Sequence, residues 1–265
     1  MTDATGPLVI IGGHEDKEGD RVILKEVARR VAGGRLVIAT IASHKPEGYF
    51  DSYRTAFADL GSTDLVELYV EDRAAALDPG CGAVLDEAAG IFFTGGDQLR
   101  LASLIGDTPL EQRLLALRAR GGVVAGTSAG ASAMSETMLV GGPGAESHRV
   151  GDLRMAPGLG LVADVIIDQH FAERGRIGRL LGAVAHNPRV LGIGIDEDSA
   201  IVVEGDGFGV IGSGAVTIAD AAGATHSNIA GARPEALLSI HDVRLHILAA
   251  GDRFDLRERR PVVAR

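Results

Sequence analysis

Tryptophan is absent from this sequence, aromatic residues make up only 4% of it, and cysteine occurs once, as Cys81. So few aromatic side chains argue against a base-stacking surface for nucleic acid. A single cysteine excludes an intrachain disulfide and a zinc site built from several cysteines, and it is compatible with a reducing compartment. No apolar run reaches membrane-spanning length. We therefore expect no nucleic-acid partner and no membrane span.

An excess of positive charge is also missing, because the formal net charge is −10. This argues against a basic surface for nucleic acid and favours cationic substrates at long range. The first seven residues lack the basic and apolar regions of a secretory signal, so we expect a cytoplasmic protein. The chain does have 265 residues, and 46% of them are hydrophobic. This composition suits one large α/β domain over residues 1–265.

Short apolar runs alternate with helical patterns in the first half of the chain. The predicted strands cover residues 8–11, 36–39, 65–70, 91–94 and 122–125. The predicted helices cover residues 20–32, 48–60, 99–105 and 110–120. This alternation predicts a mostly parallel central sheet with helices on both faces. Ligands of such sheets lie beyond the carboxyl ends of the strands, where breaks occur at Gly12, Ser43, Gly95 and Ser128.

The second half continues this pattern and then changes. Residues 141–156 are polar and glycine-containing, and we interpret them as a loop. A strand at 165–167, a helix at 174–185 and a strand at 190–195 follow. Further strands are predicted at 200–203, 208–211, 216–219 and 243–248. A hairpin signal between the first two of these predicts an antiparallel C-terminal extension of the same domain.

Residues 126–130 read Gly-Thr-Ser-Ala-Gly and lie between a predicted strand and a helix. Gly-x-Ser-x-Gly in that setting is the nucleophile-elbow pattern, with Ser128 at the apex of the turn. The start of the following helix offers N–H groups and a positive dipole end to a developing oxyanion. The alternative interpretation is a glycine-rich turn that merely carries a serine.

A serine nucleophile requires a base, a group that orients the base, and oxyanion donors. His170 is the favoured base because it follows a predicted strand directly, and His148, in the polar loop, is the second candidate. Asp196, Glu197 and Asp198 follow another strand end. Three adjacent acids cannot all be buried without partners. The residues alone do not decide which of the three orients the histidine.

Three arginines follow His170 along the chain. Arg176 and Arg179 share one face of the predicted helix, and Arg174 joins them if that helix begins near residue 175. A planar guanidinium suits a carboxylate, so the cluster predicts an anionic group on the substrate. The alternative is three ordinary surface arginines on an amphipathic helix.

Six sequence blocks resemble, in the same order, the cyanophycinases within the dipeptidase E-like serine peptidases. The blocks are GGHEDK at 12–17, FTGGDQ at 93–98, GTSAGA at 126–131, APGLGL at 156–161, DQHF at 168–171 with the three arginines, and GIDED at 194–198. The resemblance implies a flavodoxin-like α/β fold, akin to class I glutamine amidotransferases. It also implies a serine mechanism without metal or cofactor, and a homodimer.

The same resemblance assigns roles at the matching positions. It implies that Ser128 is the nucleophile, His170 the base and Glu197 the acid. The oxyanion donors would be backbone N–H groups of Gly96 and Ala129. The residues that it implies hold the substrate are Gln98, Asp168, Gln169, Arg174, Arg176 and Arg179.

The implied substrate is cyanophycin, a poly-aspartate backbone with arginine on each β-carboxylate, whose hydrolysis releases β-aspartyl-arginine dipeptides. His14 stands where a small residue often occurs in the first block. The alternative hypothesis is therefore a related serine peptidase acting on short aspartyl or isoaspartyl peptides. A further hypothesis is a non-catalytic protein of the same fold that binds a ligand or partner.

Overall fold

The computed structural model describes residues 5–142 and 148–262. In chain order the strands are β1 (Leu8–Ile11), β2 (Arg35–Ala39), β3 (Leu65–Leu68), β4 (Ala88–Phe93), β5 (Val123–Thr127), β6 (Thr137–Gly141), β7 (Arg154–Pro157), β8 (Val165–Gln169), β9 (Leu191–Ile195), β10 (Ser199–Glu204), β11 (Gly207–Gly212), β12 (Val216–Asp220), β13 (His226–Ser227), β14 (Ile240–His241), β15 (Arg244–Leu248), β16 (Arg253–Asp255) and β17 (Arg260–Val262). The helices are α1 (Val22–Val31), α2 (Tyr49–Ala58), α3 (Arg73–Ala76), α4 (Gln98–Ile105), α5 (Pro109–Ala119), α6 (Ala129–Ser132) and α7 (Ile177–His186), and a 3-10 helix covers Ala83–Leu85.

The strand β1 lies in the middle of a nine-stranded sheet with the order β17-β16-β11-β10-β1-β5-β4-β2-β3. On one side of β1 the strands run parallel, from β5 to β3. On the other side they run antiparallel, from β10 to β17. The predicted α/β class, with parallel central strands and an antiparallel C-terminal part, is confirmed.

Alternate side chains of β1 are buried on opposite faces of this sheet. Leu8 and Ile10 belong to one buried hydrophobic cluster, and Val9 and Ile11 belong to another. Successive side chains of a strand point to opposite faces, so both faces of the sheet are covered. The helices α1 and α2 supply buried side chains to the second cluster, whereas α4, α5 and the strands β8, β9 and β12 supply them to the first.

The helix α4 begins directly after the Gly95–Gly96 turn, which lines one wall of the candidate site described below. Asp97 caps it, because its carboxylate accepts a hydrogen bond from the Leu99 N–H at 2.8 Å. Thr108 caps α5 in the same way, and Pro109 occupies its first helical position. Proline suits that position because no intrahelical donor is needed there.

Two features of strand pairing differ from the sequence prediction. The strands β8 and β9 do not join the central sheet but form a second, four-stranded sheet with the order β15-β12-β9-β8. The predicted loop at 141–156 is bracketed by an antiparallel pair, β6 and β7. Its residues 143–147, which include Glu146 and Ser147, lie outside the described residues. Hydrophobic patterning identifies a strand but does not specify its partner, because pairing is a long-range choice.

The boundaries of α7 also differ, since the helix begins at Ile177 rather than at residue 174. Gly175 precedes it with φ +58°, a left-handed conformation that does not continue a right-handed helix. Arg174 and Arg176 therefore lie in the turn before the helix. Among the described residues, no helix combines the length and apolar composition needed to span a membrane.

Candidate active site

Ser128 lies at a strained turn between β5 and α6. Its backbone has φ 53° and ψ −110°, which residues with a Cβ atom rarely adopt. Gly130, two residues on, lies against β4, where an added Cβ would be 2.7 Å from the Phe93 Cβ and carbonyl oxygen. The pattern Gly-x-Ser-x-Gly thus forms a sharp turn whose helix packs directly on the neighbouring strand, as an elbow requires.

The end of β1 joins three chain segments of the site through its backbone. Three successive carbonyl oxygens accept hydrogen bonds of 3.0, 2.8 and 2.9 Å from the N–H groups of Ser128, His170 and Asp198. In the same order, the acceptors are Ile11, Gly12 and Gly13. The predicted nucleophile, base and acidic segment are therefore positioned from one strand end. The sequence predicts a glycine break here but not these three hydrogen bonds.

Gly13 lies directly against the His170 ring. A Cβ atom at this position would be 2.3 Å from His170 Cε1, and the φ of Gly13 is +112°. Glycine alone combines that conformation with so close an approach. The Gly-Gly pair after the first strand was the signal for this contact, because paired glycines at a strand end indicate a close backbone approach.

Ser128, His170 and Glu197 form a continuous hydrogen-bonded series. The distance from Ser128 Oγ to His170 Nε2 is 2.9 Å, and the distance from His170 Nδ1 to Glu197 Oε1 is 2.6 Å. Burial lowers the pKa of His170 below its ordinary value, although the hydrogen bond to Glu197 acts in the opposite direction. A neutral imidazole at pH 7 is able to accept a proton, so this arrangement suits a serine activated by a base.

His14 contacts the second oxygen of the same carboxylate. The distance from His14 Nδ1 to Glu197 Oε2 is 2.9 Å. Burial acts to raise the pKa of Glu197, but the hydrogen bonds from His170 and His14 outweigh it and lower that pKa. Glu197 is therefore an ionised acceptor for two imidazole rings.

The neighbouring acids are occupied elsewhere. Asp196 accepts hydrogen bonds from two backbone N–H groups, at 3.0 and 3.1 Å. Asp198 accepts one from a backbone N–H at 2.9 Å and one from the Ser213 hydroxyl at 2.6 Å. Of the three adjacent acids, Glu197 is thus the one within hydrogen-bond distance of His170.

Replacing Glu197 with glutamine is expected to lower kcat by about 10⁴-fold, because an amide favours the wrong tautomer of the base. The matched variants Asp196→Asn and Asp198→Asn are expected to keep kcat within about tenfold of wild type, since each loses hydrogen bonds worth about 1 kcal/mol apiece. Hydrolysis rates of the three variants measure this. An equal loss of kcat in Asp196→Asn would contradict the assignment.

His148, the second candidate for the base, lies elsewhere in the molecule. Its ring packs against α7, where a Cβ atom at Gly182 would be 2.2 Å from His148 Nε2. The ring is buried, and this burial lowers the pKa of His148. His170 is therefore the histidine that the structure brings to Ser128.

The two predicted oxyanion donors flank Ser128. A Cβ atom at Gly95 would lie 3.6 Å from the Ser128 Cβ, so the Gly95–Gly96 turn runs beside the nucleophile. Ala129 is the first residue of α6, and the N–H groups of a first helical turn have no partner within the helix. Both positions suit donors aimed at a developing oxyanion, and the role itself stays a prediction.

Asp168 is buried and ion-paired with two arginines. It contacts Arg176 Nη1 at 3.2 Å and Arg179 Nε at 2.8 Å. Burial lowers the pKa of Arg176 to about 10, although Asp168 acts in the opposite direction. Only Arg174 of the three arginines lines the cleft at Ser128. The structure therefore does not bring three arginines together in that cleft.

The two glutamines differ in their surroundings. Gln98 Nε2 donates to the Leu139 carbonyl at 2.7 Å, which ties the start of α4 to β6. Gln169 is buried, and among the described residues its Oε1 atom has no hydrogen-bond donor. A buried oxygen without a donor costs free energy, and Gln169 does not line the cleft above Ser128.

Glu15 is a buried acid that the sequence analysis did not single out. Its carboxylate accepts hydrogen bonds from the Tyr53 hydroxyl at 2.5 Å and the Thr127 hydroxyl at 2.6 Å. Lys17 Nζ lies 3.4 Å from the same carboxylate. Thr127 directly precedes Ser128, so Glu15 anchors the strand end that carries the nucleophile. Its sequence signal is its place in the block GGHEDK, which also carries the resemblance.

A cleft of about 540 Å³ opens above Ser128. It is lined from the loops after β1, β2, β4 and β5, by residues that include His14, Glu47, Gly95 and Ser128. The prediction that polar breaks after these strands share one edge of the sheet is therefore confirmed. Arg174 completes the lining on the side of His170.

The acid limb of the pH–rate profile is expected to lie below the ordinary histidine value of about pH 6.5, because burial lowers the pKa of His170. Protonated His170 cannot accept the serine proton, so activity rises with pH through this pKa. The positive charge of Arg174 contributes to the lowering. Arg174→Gln is therefore expected to move the limb to higher pH, and exposed Arg189→Gln to leave it unchanged. The rate of fluorophosphonate labelling of Ser128 against pH measures this. A limb that stayed in place in Arg174→Gln would contradict it.

The chain that carries this geometry is similar to proteins of a known family. Residues 8–211 match the family model described as peptidase family S51. The chain is 42% identical over 257 residues to the cyanophycinase of Trichormus variabilis, covering 95% of this chain and 86% of that one. It is 40% identical over 259 residues to the cyanophycinase of Geminocystis herdmanii, covering 96% and 95%.

A solved structure shares the fold. The crystal structure of a peptidase from an acI-B1 Actinobacterium aligns with a TM-score of 0.69 at 24% identity, covering 96% of this chain and 98% of that one. The serine elbow, the histidine that follows the second-sheet strand β8 and the acidic segment after β9 all lie within the matched residues 8–211. On this evidence the chain belongs to peptidase family S51 and is a serine-type peptidase.

Proposed function

We propose that this protein is a cyanophycinase, a serine exopeptidase that hydrolyses cyanophycin to β-aspartyl-arginine dipeptides. The observation that carries the proposal is the hydrogen-bonded series from Ser128 through His170 to Glu197 at the floor of an open cleft. Relatives named cyanophycinase, at 40% and 42% identity over nearly the whole chain, support the choice of substrate.

In the proposed reaction, Ser128 Oγ attacks the scissile carbonyl carbon while His170 Nε2 takes the hydroxyl proton. The carbonyl oxygen becomes negative and accepts hydrogen bonds from the N–H groups of Gly96 and Ala129. His170 then returns the proton to the leaving amine, and the acyl-enzyme remains. Water, deprotonated by the same nitrogen, hydrolyses that ester and frees Ser128. Glu197 holds the Nδ1–H of His170 throughout.

The charges of the cleft suit a substrate that carries both signs. Glu47 lines it as an acid, and Lys17 and Arg174 line it as cations. Cyanophycin presents guanidinium groups to an acid and carboxylates to cations. We assign Glu47 to a substrate guanidinium and Arg174 to a substrate carboxylate.

The remaining substrate contacts follow the family resemblance. The resemblance assigns Gln169 to the substrate as well, although its side chain is buried and does not line the cleft. The resemblance also implies substrate contacts for Gln98, Asp168, Arg176 and Arg179, but none of the four lines the cleft. We therefore propose that they position the elements around the cleft rather than touch the substrate. The pair of arginines fixes the Asp168 carboxylate at the end of β8, two residues before His170.

Turnover of cyanophycin is expected to exceed turnover of short aspartyl and isoaspartyl dipeptides in kcat/KM. The polymer occupies both the acidic and the cationic side of the cleft, whereas a dipeptide without arginine leaves Glu47 unpaired. Parallel assays of the polymer and the peptides, with and without EDTA, measure this. A higher kcat/KM on the dipeptides would favour the short-peptide hypothesis, and loss of activity in EDTA would contradict the metal-free mechanism.

We further propose one domain over residues 1–265, a cytoplasmic location and a homodimer. The pairing of β16 with β11 places the C-terminal strands in the same sheet as β1, which supports a single domain. In the described part of the chain, β15 is an edge strand whose Leu245 and Ile247 are exposed, Ile247 by 76%. Exposed apolar side chains on an edge strand favour association. Light scattering of the purified protein measures the number of chains.

A further inference from the structure

The loop after β1 places an exposed histidine against the predicted catalytic acid. The two Nδ1 atoms of His14 and His170 lie 2.9 and 2.6 Å from the two oxygens of Glu197. The rings meet edge to face with centroids 5.0 Å apart. The carboxylate thus bridges two imidazoles, and 73% of the His14 side chain is open to solvent.

We propose that His14, His170 and Glu197 form an inhibitory site for a transition-metal ion such as Zn²⁺. One ligand atom from each residue lies within 4.8 Å of the other two. Two imidazole nitrogens and a carboxylate oxygen are a ligand set that Zn²⁺ takes in three-residue sites, where water completes the tetrahedron. Mg²⁺ and Ca²⁺ prefer oxygen ligands, so the same site discriminates against them.

Some charges around the three ligands oppose a bound cation, and others favour it. Lys17 and Arg174 line the same cleft and oppose a cation. Glu173 lies on the other side, with its carboxylate oxygens 3.3 Å from the Glu197 backbone nitrogen. The net charge of −10 attracts cations at long range. The exposed face of His14 gives the ion a path from solvent.

An ion bound between the two Nδ1 atoms stops proton transfer without covering Ser128. When His170 binds the ion through Nδ1, the single proton of its neutral ring has to lie on Nε2. That tautomer donates to Ser128 Oγ and cannot accept from it. The inhibition rests on the proposed function, in which His170 is the base, whereas ion binding does not depend on it.

Binding is measured first, without substrate, with Co²⁺ as a spectroscopic probe and Zn²⁺ as its competitor. We expect wild type to give the visible absorption of tetrahedral Co²⁺, and His14→Ala to weaken binding by at least about tenfold. The matched control is His241→Ala, because it removes one ring of another histidine pair, His226 and His241, whose centroids lie 4.6 Å apart. An unchanged affinity in His14→Ala would overturn the proposal.

Inhibition is measured next, as the rate of fluorophosphonate labelling of Ser128 relative to the same variant without metal. At a Zn²⁺ concentration about ten times its Kd, wild type and His241→Ala are expected to fall to roughly a tenth of that rate. His14→Ala, whose Kd for Zn²⁺ is expected to be at least about tenfold higher, is expected to keep at least about half of its own rate, and Mg²⁺ to have no effect. Equal slowing of His14→Ala by Zn²⁺ would overturn the proposal. A protein that left cyanophycin intact yet bound Co²⁺ through His14 would overturn the proposed function and support the ion site.

Discussion

Replacing Ser128 with alanine is expected to lower kcat by roughly 10⁴- to 10⁶-fold while the protein stays folded. The hydroxyl is the group that forms the acyl-enzyme, and no other donor takes its place at 2.9 Å from His170 among the described residues. Alanine is smaller than serine by one oxygen atom, so it introduces no steric clash at this turn. Steady-state hydrolysis and fluorophosphonate labelling of wild type and variant measure the loss.

The matched control for this variant is Ser132→Ala, one turn along on α6. Ser132 is buried, and its hydroxyl makes one long hydrogen bond of 3.5 Å to the Ile167 carbonyl. This substitution also removes a single hydroxyl oxygen close to the same turn, but it leaves the hydrogen-bonded series intact. We expect its kcat to stay near wild type. Retention of full activity in Ser128→Ala, or an equal loss in Ser132→Ala, would contradict the assigned nucleophile.

Replacing Asp168 with asparagine is expected to lower the free energy of unfolding by about 3–5 kcal/mol, because it leaves two buried guanidinium cations without their counter-ion. Both ion pairs are buried, with side-chain exposures of 1% for Asp168, 10% for Arg176 and 8% for Arg179. Urea unfolding followed by circular dichroism measures the change. If the single variant does not fold, the triple variant Asp168→Leu, Arg176→Met, Arg179→Met is expected to restore folding, because an apolar core of similar volume needs no counter-ion.

The control for this loss is an exposed ion pair. Asp206 contacts Arg257 at 2.9 Å with 67% and 75% of the side chains exposed. Asp206→Asn is expected to change the free energy of unfolding by less than about 1 kcal/mol, because solvent screens both charges. Equal destabilisation by the two variants would show that burial is not the cause of the larger effect.

Much of the parallel sheet could be predicted because its strands are buried on both faces. The strands β1, β2, β4 and β5 are almost continuously apolar. Each is followed by glycine or polar residues, which mark its end in the sequence. The nucleophile elbow was visible for the same reason, since its glycines are needed for close packing. Local patterns of this kind report burial and turns directly.

The partners of buried polar residues could not be predicted in this way. Asp168 and Arg179 lie on β8 and α7, and only the folded chain shows that they pair with each other. Glu15 lies in the charged block GGHEDK, yet it is buried and accepts hydrogen bonds from Thr127 and Tyr53. The choice of Glu197 over its neighbours depends on which of three side chains turns toward His170. Such contacts join segments that are distant in the sequence, and the periodicity of hydrophobic residues does not indicate which segments meet.

Product identity after incubation with cyanophycin tests the central claim most directly. Wild type and Ser128→Ala are incubated side by side with the purified polymer, and soluble products are identified by mass spectrometry. We expect β-aspartyl-arginine as the main product of wild type and none from the variant. An intact polymer in the presence of wild-type protein whose Ser128 is labelled by fluorophosphonate would contradict the assigned substrate. The same dipeptide from both proteins would contradict the assigned nucleophile.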